Sequence, residues 1–252
     1  MRVGREHDAL VPILRKCGVP RDGVLVVHSA IARLSRNGYA AEALTESFLD
    51  HVADGTLIMP TMTWRTVTPK NPVWDEVATA SHTGVLSEIF RTRYASNRSI
   101  HPTHSVAAYG RAAAVLLGRH HIDDSPVSAN SPYGLMREHD AHIMMLGVGL
   151  ETCTAIHFAE ETIAADIYLR PPASAETYQC RDRNGVVHTV CTRRHWRLDR
   201  DFPKFAPPLA AKNVLHMGQI ENCPYTIVSL RDLLQEVTAA LHADKHATLR
   251  GH

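Results

Sequence analysis

The sequence predicts an α/β fold, a three-layer α/β/α arrangement around a mixed sheet. Three observations predict it. Short continuous apolar runs recur at Val24–Val27, Thr56–Met59 and Ile143–Leu146, as expected of strands buried on both faces. Segments of helical period lie between them, as at Ala40–Val52, where Leu44, Phe48 and Val52 stand four apart. Two alternating runs around Asn184-Gly185 give a hairpin signal late in the chain, so the sheet content is not all parallel.

The elements follow in order. Ala9–Cys17 is apolar on one face and reads as a helix stopped by Gly18-Val19-Pro20. The first strand, Val24–Val27, ends in His28-Ser29, which places two polar residues at a strand terminus, where open α/β sheets bind ligands. After the Ala40–Val52 helix, the strand Thr56–Met59 is stopped by Pro60. Thr61–Ser81 lacks a regular pattern and holds Trp64, Trp74 and Asp75; a connection of this length inside a domain is expected to be a lid or binding loop. Thr83–Thr92 reads as a helix capped by Ser81 or Thr83. His101-Pro-Thr-His104 leads into a strand at Ser105–Tyr109. The polar connection Asp123–Ser131 precedes the strand Ile143–Leu146, closed by Gly147-Val-Gly149. A helix is predicted over Thr154–Ala165, with Thr154 available as its cap. Beyond the break at Pro171-Pro172, the hairpin strands are Glu176–Arg181 and Val186–Thr192, and Leu230–Leu241 reads as an amphipathic helix. The expected organisation is a single domain over residues 1–252, with 171–229 as a hairpin-containing extension.

Composition narrows the function classes. With 27 basic and 26 acidic side chains the formal charge is +1, without the basic excess of a nucleic-acid binder. No run approaches a membrane span, and Met1–Leu14 lacks the apolar stretch of a signal peptide. Cysteines at 17, 153, 180, 191 and 223 have neither disulfide-framework nor zinc-knuckle spacing, so a reducing, cytoplasmic setting is expected. Most of the 17 histidines, the pair His120–His121 included, are expected to be solvated.

Three places carry candidate chemistry. In Thr154-Ala-Ile-His-Phe-Ala-Glu160, His157 and Glu160 lie three apart and share one helix face. An imidazole titrates near neutrality and suits proton transfer, and a carboxylate one turn away could fix its tautomer. On this segment alone, an ordinary helix with a surface His–Glu pair is the better account of the pattern. His101-Pro-Thr-His-Ser105 and His28-Ser29 read either as site residues or as strand-entry and capping residues.

Taken in order, these blocks resemble one family. They are Val27-His-Ser29, Gly55-Thr-Leu-Ile-Met-Pro60, Thr83-Gly-Val-Leu-Ser-Glu-Ile-Phe-Arg91, His101-Pro-Thr-His-Ser-Val-Ala-Ala-Tyr-Gly110, Ser131-Pro132, Gly147-Val-Gly149 and Thr154–Glu160. The series resembles the aminoglycoside 3-N-acetyltransferase family, strongly over residues 10–165 and loosely beyond. That family has its own α/β/α fold, and the chain lacks the Arg/Gln-x-x-Gly-x-Gly loop of the general N-acetyltransferase fold. The resemblance implies an acetyl-CoA-dependent N-acetyltransferase that acts on an aminoglycoside amine by direct, general-base-assisted transfer. It implies His157 as the base, Glu160 as part of its site, and His28, Ser29, His104 and Ser105 along the acetyl-CoA site. The implied partners are the amine and coenzyme A, with neither nucleic acid nor membrane; no metal is expected, and self-association is left open.

Departures from the family pattern touch the acceptor. Gly38-Tyr39 stands where resistance members commonly carry Gly-Gly, and Ala30 replaces a second serine. The Thr61–Ser81 loop is similar to that of branches acting on amino sugars or other amines. Asp75, Glu160 and Trp64 are expected to hold a cationic acceptor, with Trp74 a further apolar platform. A metal-dependent hydrolase using His101, His104, His157 and Glu160 is a rival reading that needs converging ligands. Cys153, four residues before His157, could carry an acyl group, although a small buried residue is the simpler account.

Overall fold

The computed structural model describes residues 4–251. In chain order, α1 (Arg5–Lys16) leads to β1 (Val24–Ser29), then α2 (Ala32–Arg36), α3 (Ala41–His51) and β2 (Thr56–Pro60). Next come β3 (Val73–Asp75), α4 (Val85–Arg93), β4 (Asn97–Arg98), β5 (Val106–Gly110), α5 (Ala113–Leu117) and α6 (Pro132–Leu135). The chain continues through β6 (Ala141–Leu146), α7 (Ile156–Tyr168), β7 (Glu176–Arg181) and β8 (Val187–Thr192). It closes with α8 (Ala206–Ala211), β9 (Leu215–Ile220), β10 (Cys223–Ser229) and α9 (Leu230–Ala243).

Seven strands form one mixed sheet in the order β4-β5-β2-β1-β6-β10-β9. β1 sits near its centre, parallel to β2 and β6, and the other pairings are antiparallel. Period-two alternation divides the core between the two faces. Val24, Val26, Ile58, Val106, Ile143 and Met145 pack with α7 and α9 residues such as Ile156 and Leu233. Leu25, Val27, Leu57, Met59, Met144 and Leu146 pack with Leu10, Leu44, Phe48 and Phe90 from α1, α3 and α4. Both faces are covered, which is why the central strands read as unbroken apolar runs rather than alternating ones.

The segment 171–229, expected as one hairpin-containing extension, divides. β7 and β8 pair around Gly185 (φ +85°) and join the short β3 in a three-stranded sheet with its own small core of Val67, Trp74, Tyr178, Cys180 and Val190. β9 and β10 instead complete the main sheet against β6. Their sequence hides this: in β9 only the end residues are buried, and Gly218 and Pro224, poor strand formers, stand inside strands whose pairing nonetheless runs unbroken.

Two expected caps are also replaced. Gly84, at φ +114°, is the N-cap of α4, while the Thr83 hydroxyl donates to the Pro60 carbonyl at 2.6 Å. α7 begins after Ala155 without a side-chain cap, so Thr154 does not serve. At the C-terminal helix, Ser229 does cap α9, accepting from the Asp232 amide at 3.0 Å.

Candidate active site

The carboxyl ends of β1, β2 and β6 open on one cavity of about 540 Å³, within the size range of small-molecule sites. Gly147 makes this edge possible. It ends β6 at φ +74°, and a Cβ there would lie 2.2 Å from the Ala30 carbonyl oxygen, so no other residue lets the chain turn so close to the end of β1. His28 and Ser29 enter the cavity from β1, Trp64 and Arg65 from the loop after β2, His82 from the approach to α4, His104 from the approach to β5, and His157 from the first turn of α7.

His157 is held from behind. Its Nδ1 lies 2.7 Å from Glu160 Oε2, one turn along α7. Glu160 is wholly buried, and its remaining acceptors are filled: Arg200 Nε donates to both oxygens at 3.0 Å, and the Thr248 hydroxyl donates to Oε1 at 2.6 Å. Tyr168 extends this chain, with its hydroxyl 2.8 Å from Thr248 and donating to the Lys245 carbonyl. Burial alone would raise the Glu160 carboxyl; His157 and Arg200 outweigh it and hold the group at about 2. Glu160 is therefore a fixed anion at neutral pH. It commits Nδ1 of His157 and leaves Nε2 for chemistry at the cavity.

The surrounding imidazoles form a row. His157 stacks on His195 at 4.3 Å between ring centroids; His195 meets His104 edge-on at 5.5 Å, His104 meets His101 at 5.8 Å, and His101 stacks on His120 at 4.5 Å. Burial and mutual repulsion hold His101, His104 and His195 well below the ordinary imidazole range; His120 lies at about 4, chiefly through burial. His120 is fully buried, contrary to the expectation of a solvated residue: His120 Nδ1 is 2.8 Å from Ser99 Oγ and Nε2 2.9 Å from the Pro126 carbonyl. Although these rings adjoin, no group of three or more His, Cys, Asp or Glu among the described residues is arranged to hold a metal ion.

The remaining expected site residues separate. Ser105 is fully buried beneath the cavity rather than lining it; its hydroxyl donates to the Thr61 carbonyl at 2.8 Å and accepts from Arg98 Nε at 3.1 Å. Asp75 is not a cavity residue: its Oδ1 accepts from the Val77 and Ala78 amides and closes a turn after β3. Trp74 lies at the centre of the small core with the Arg98 guanidinium over its ring, so it offers no free face. Trp64 does line the cavity, edge to face with His82 at 4.8 Å. Glu160 lies behind His157, where it contacts the imidazole and not the cavity. Arg200, Thr248 and His195 were not singled out by sequence, because 40, 88 and 38 residues separate them from Glu160 or His157 and no local pattern marks them.

The model of the family described as aminoglycoside 3-N-acetyltransferase matches residues 26–242. The chain is 24% identical over 180 residues to the SPbeta prophage-derived aminoglycoside N(3')-acetyltransferase-like protein YokD of Bacillus subtilis (strain 168), a match covering 63% of this chain and 66% of the relative. The chain thus spans just under two thirds of that relative's length. Among solved structures, a mutant of aminoglycoside acetyltransferase AAC(3)-IVa in complex with a gentamicin superposes with a TM-score of 0.80 at 23% identity, covering 98% of this chain and 91% of the other. AAC-IIIb, solved as a binary complex with CoASH, gives 0.77 at 20% identity and 98% coverage of both chains. Those two likenesses establish the fold; the family match over most of the chain establishes the lineage, and this chain belongs to the aminoglycoside 3-N-acetyltransferase family.

Proposed function

We propose that the protein transfers the acetyl group of acetyl-CoA to an amino group of an aminoglycoside, with His157 as general base in a direct transfer. The observation that carries this reading is the His157–Glu160 pair at a cavity wall, its carboxylate locked by Arg200 and Thr248. A protonated amine cannot attack a thioester. The acceptor therefore reacts as its neutral amine, the ammonium proton having passed to solvent; Nε2 of His157 removes the second proton as the nitrogen adds to the acetyl carbonyl, and Glu160 stabilises the imidazolium that forms. The C–N bond forms, the C–S bond breaks, and the imidazolium returns its proton to the departing thiolate.

Two features support acetyl-CoA as the donor. His28 Nε2 and Ser29 Oγ are buried polar atoms at the cavity with no partner inside the protein, a state that a ligand's polar groups would relieve. The AAC-IIIb relative, alike in fold, binds CoASH. Free cysteines at all five positions suit the reducing cytoplasm as the place of action, and no helix among the described residues is long and apolar enough to cross a membrane.

One observation favours a second acceptor class, an amino sugar or other amine of low charge. Among the residues lining the cavity, Glu151 is the sole carboxylate and Arg65 the sole permanent cation. That wall offers a polycation little net attraction. A thiol-release assay with acetyl-CoA against a panel of aminoglycosides and amino sugars tests both classes. Release with no amine on either panel, or none at all, would defeat the transferase reading.

A further inference from the structure

The general base is packed against a second histidine–carboxylate pair that the reaction above does not use. Glu160 and Glu161 are neighbours on α7, and each takes one histidine: His157 Nδ1 lies 2.7 Å from Glu160, and His195 Nε2 lies 2.7 Å from Glu161 Oε1. The two imidazoles are stacked, with centroids 4.3 Å apart and planes inclined by 25°.

His195 is fixed at both its backbone and its ring. Its backbone forms an isolated bridge with Leu169 at the end of α7. Its ring is anchored by Glu161, and Glu161 is itself held by the Ser125 hydroxyl at 2.6 Å and the Val127 amide at 3.0 Å. This arrangement is costly. Burial pushes the Glu161 carboxyl up to about 7 against the pull of its donors, and a polar ring must be desolvated beside it. An apolar side chain would fill the same space without a buried carboxylate to satisfy, so packing alone does not account for the pair.

The Glu160 hydrogen bond holds one ring atom and resists large rotations about the Cβ–Cγ bond, and Phe202 meets the ring edge-on at 5.3 Å, but neither contact covers a ring face, which leaves the imidazole some freedom to tilt. A stacked face removes that freedom. We propose that His195, anchored by Glu161, is a positioning residue for the general base: its ring holds the His157 imidazole in the plane that keeps Nδ1 on Glu160 and presents Nε2 to the acceptor amine. The inference rests on His157 being the base. It also fits the charge change, since a neutral ring beside His157 does not repel the imidazolium formed during transfer, whereas a charged one would.

The test compares His195→Ala and His195→Phe in the full chain, with melting temperature as the check on folding. In His195→Ala, kcat falls about 10- to 100-fold, the cost of a misaligned reacting group, while both KM values stay within about twofold. In His195→Phe a planar ring of similar size returns most of that loss. The downfield proton of the His157–Glu160 hydrogen bond, assigned by its absence in His157→Ala, gives a readout that needs no acceptor. It is lost or broadened in His195→Ala and persists in His195→Phe. A folded His195→Ala protein with wild-type kcat and an unchanged downfield proton overturns the proposal. A rise in KM with kcat preserved also overturns it, by showing that His195 contacts substrate. If His195→Ala does not fold, His195→Phe decides: a folded Phe variant that loses both the proton and kcat refutes positioning by stacking. Failure of the general-base reading looks different, since His157→Ala would then turn over like wild type whatever stands at position 195.

Discussion

Nδ1 of His157 lies 2.7 Å from Oε2 of a fully buried Glu160, and that carboxylate is in turn gripped by Arg200 and Thr248 from the distant C-terminal part of the chain. The pair therefore joins a helix start at the sheet edge to the end of the chain. Activity and acid stability should be coupled through it.

His157→Ala should lower kcat by about 100- to 10,000-fold, the ordinary worth of a general base, with little change in either KM. The ring is partly exposed at the cavity wall, so its removal should leave the fold intact. Steady-state kinetics and a melting curve measure both. Turnover near wild type at saturating substrate would remove His157 from the mechanism.

Glu160 makes a prediction about pH. Its carboxyl titrates at about 2 in the folded chain, against the ordinary 4.5. The folded state thus binds its proton more weakly than the unfolded chain does. The stability gained is present above pH 4.5 and is lost as pH falls toward 2, a contribution on the order of 3 kcal/mol. In Glu160→Gln this acid-labile part should vanish. At pH 7 the variant should be less stable than wild type, because Arg200 is left without its anion. Urea denaturation from pH 7 to pH 2.5 would show parallel acid slopes if Glu160 did not contribute.

How much of this was legible in sequence depended on separation along the chain. His157 and Glu160 share a helix face, so a spacing of three sufficed to pair them, and the strand-end position of His28-Ser29 followed from the apolar run before them. Arg200, Thr248 and His195 reach the same site only because the sheet and its helices bring remote segments together, and nothing near them in sequence announces it. Asp75 and Trp74 misled for the opposite reason. A long irregular loop looked like a binding loop, yet it contains β3, whose Trp74 builds a small core and whose Asp75 caps a turn.

Ser29 and Ser105 should now behave differently. Ser29→Ala should weaken acetyl-CoA binding, since its hydroxyl stands unpartnered at the cavity. Ser105→Ala should leave that affinity alone and cost about 1–2 kcal/mol of stability, because its hydroxyl serves the buried Thr61–Arg98 network. Calorimetric titration and denaturation of both variants separate the roles. Equal loss of coenzyme affinity in the two would return Ser105 to the binding site.

Asp75→Ala should lower stability by about 1 kcal/mol through loss of its turn bonds to Val77 and Ala78. Acceptor KM and its dependence on ionic strength should match wild type, since the carboxylate lies outside the cavity lining. Acceptor kinetics at two salt concentrations check this. A flattened salt response would restore Asp75 as a steering charge.

Cys153 offers the sharpest test of direct transfer against an acyl-enzyme route. It lies only four residues before His157, but the fold buries it completely within the main core, between the end of β6 and the start of α7. Burial pushes its thiol up to about 12, opposed only weakly by the amides of Ala155 and Ile156. The thiolate is the nucleophilic form, so at pH 7 the thiol stays protonated, and the buried side chain is not among the residues lining the cavity. Cys153→Ala should therefore keep most of its kcat and lose about 1 kcal/mol of stability to the small cavity left behind. Incubation with acetyl-CoA alone, followed by mass spectrometry of the peptide bearing residue 153, should show no acetyl adduct. Initial-velocity patterns with both substrates varied should intersect, as a ternary complex requires. Parallel lines together with an adduct that forms and decays at the rate of turnover would make Cys153 the nucleophile and reduce His157 to its base.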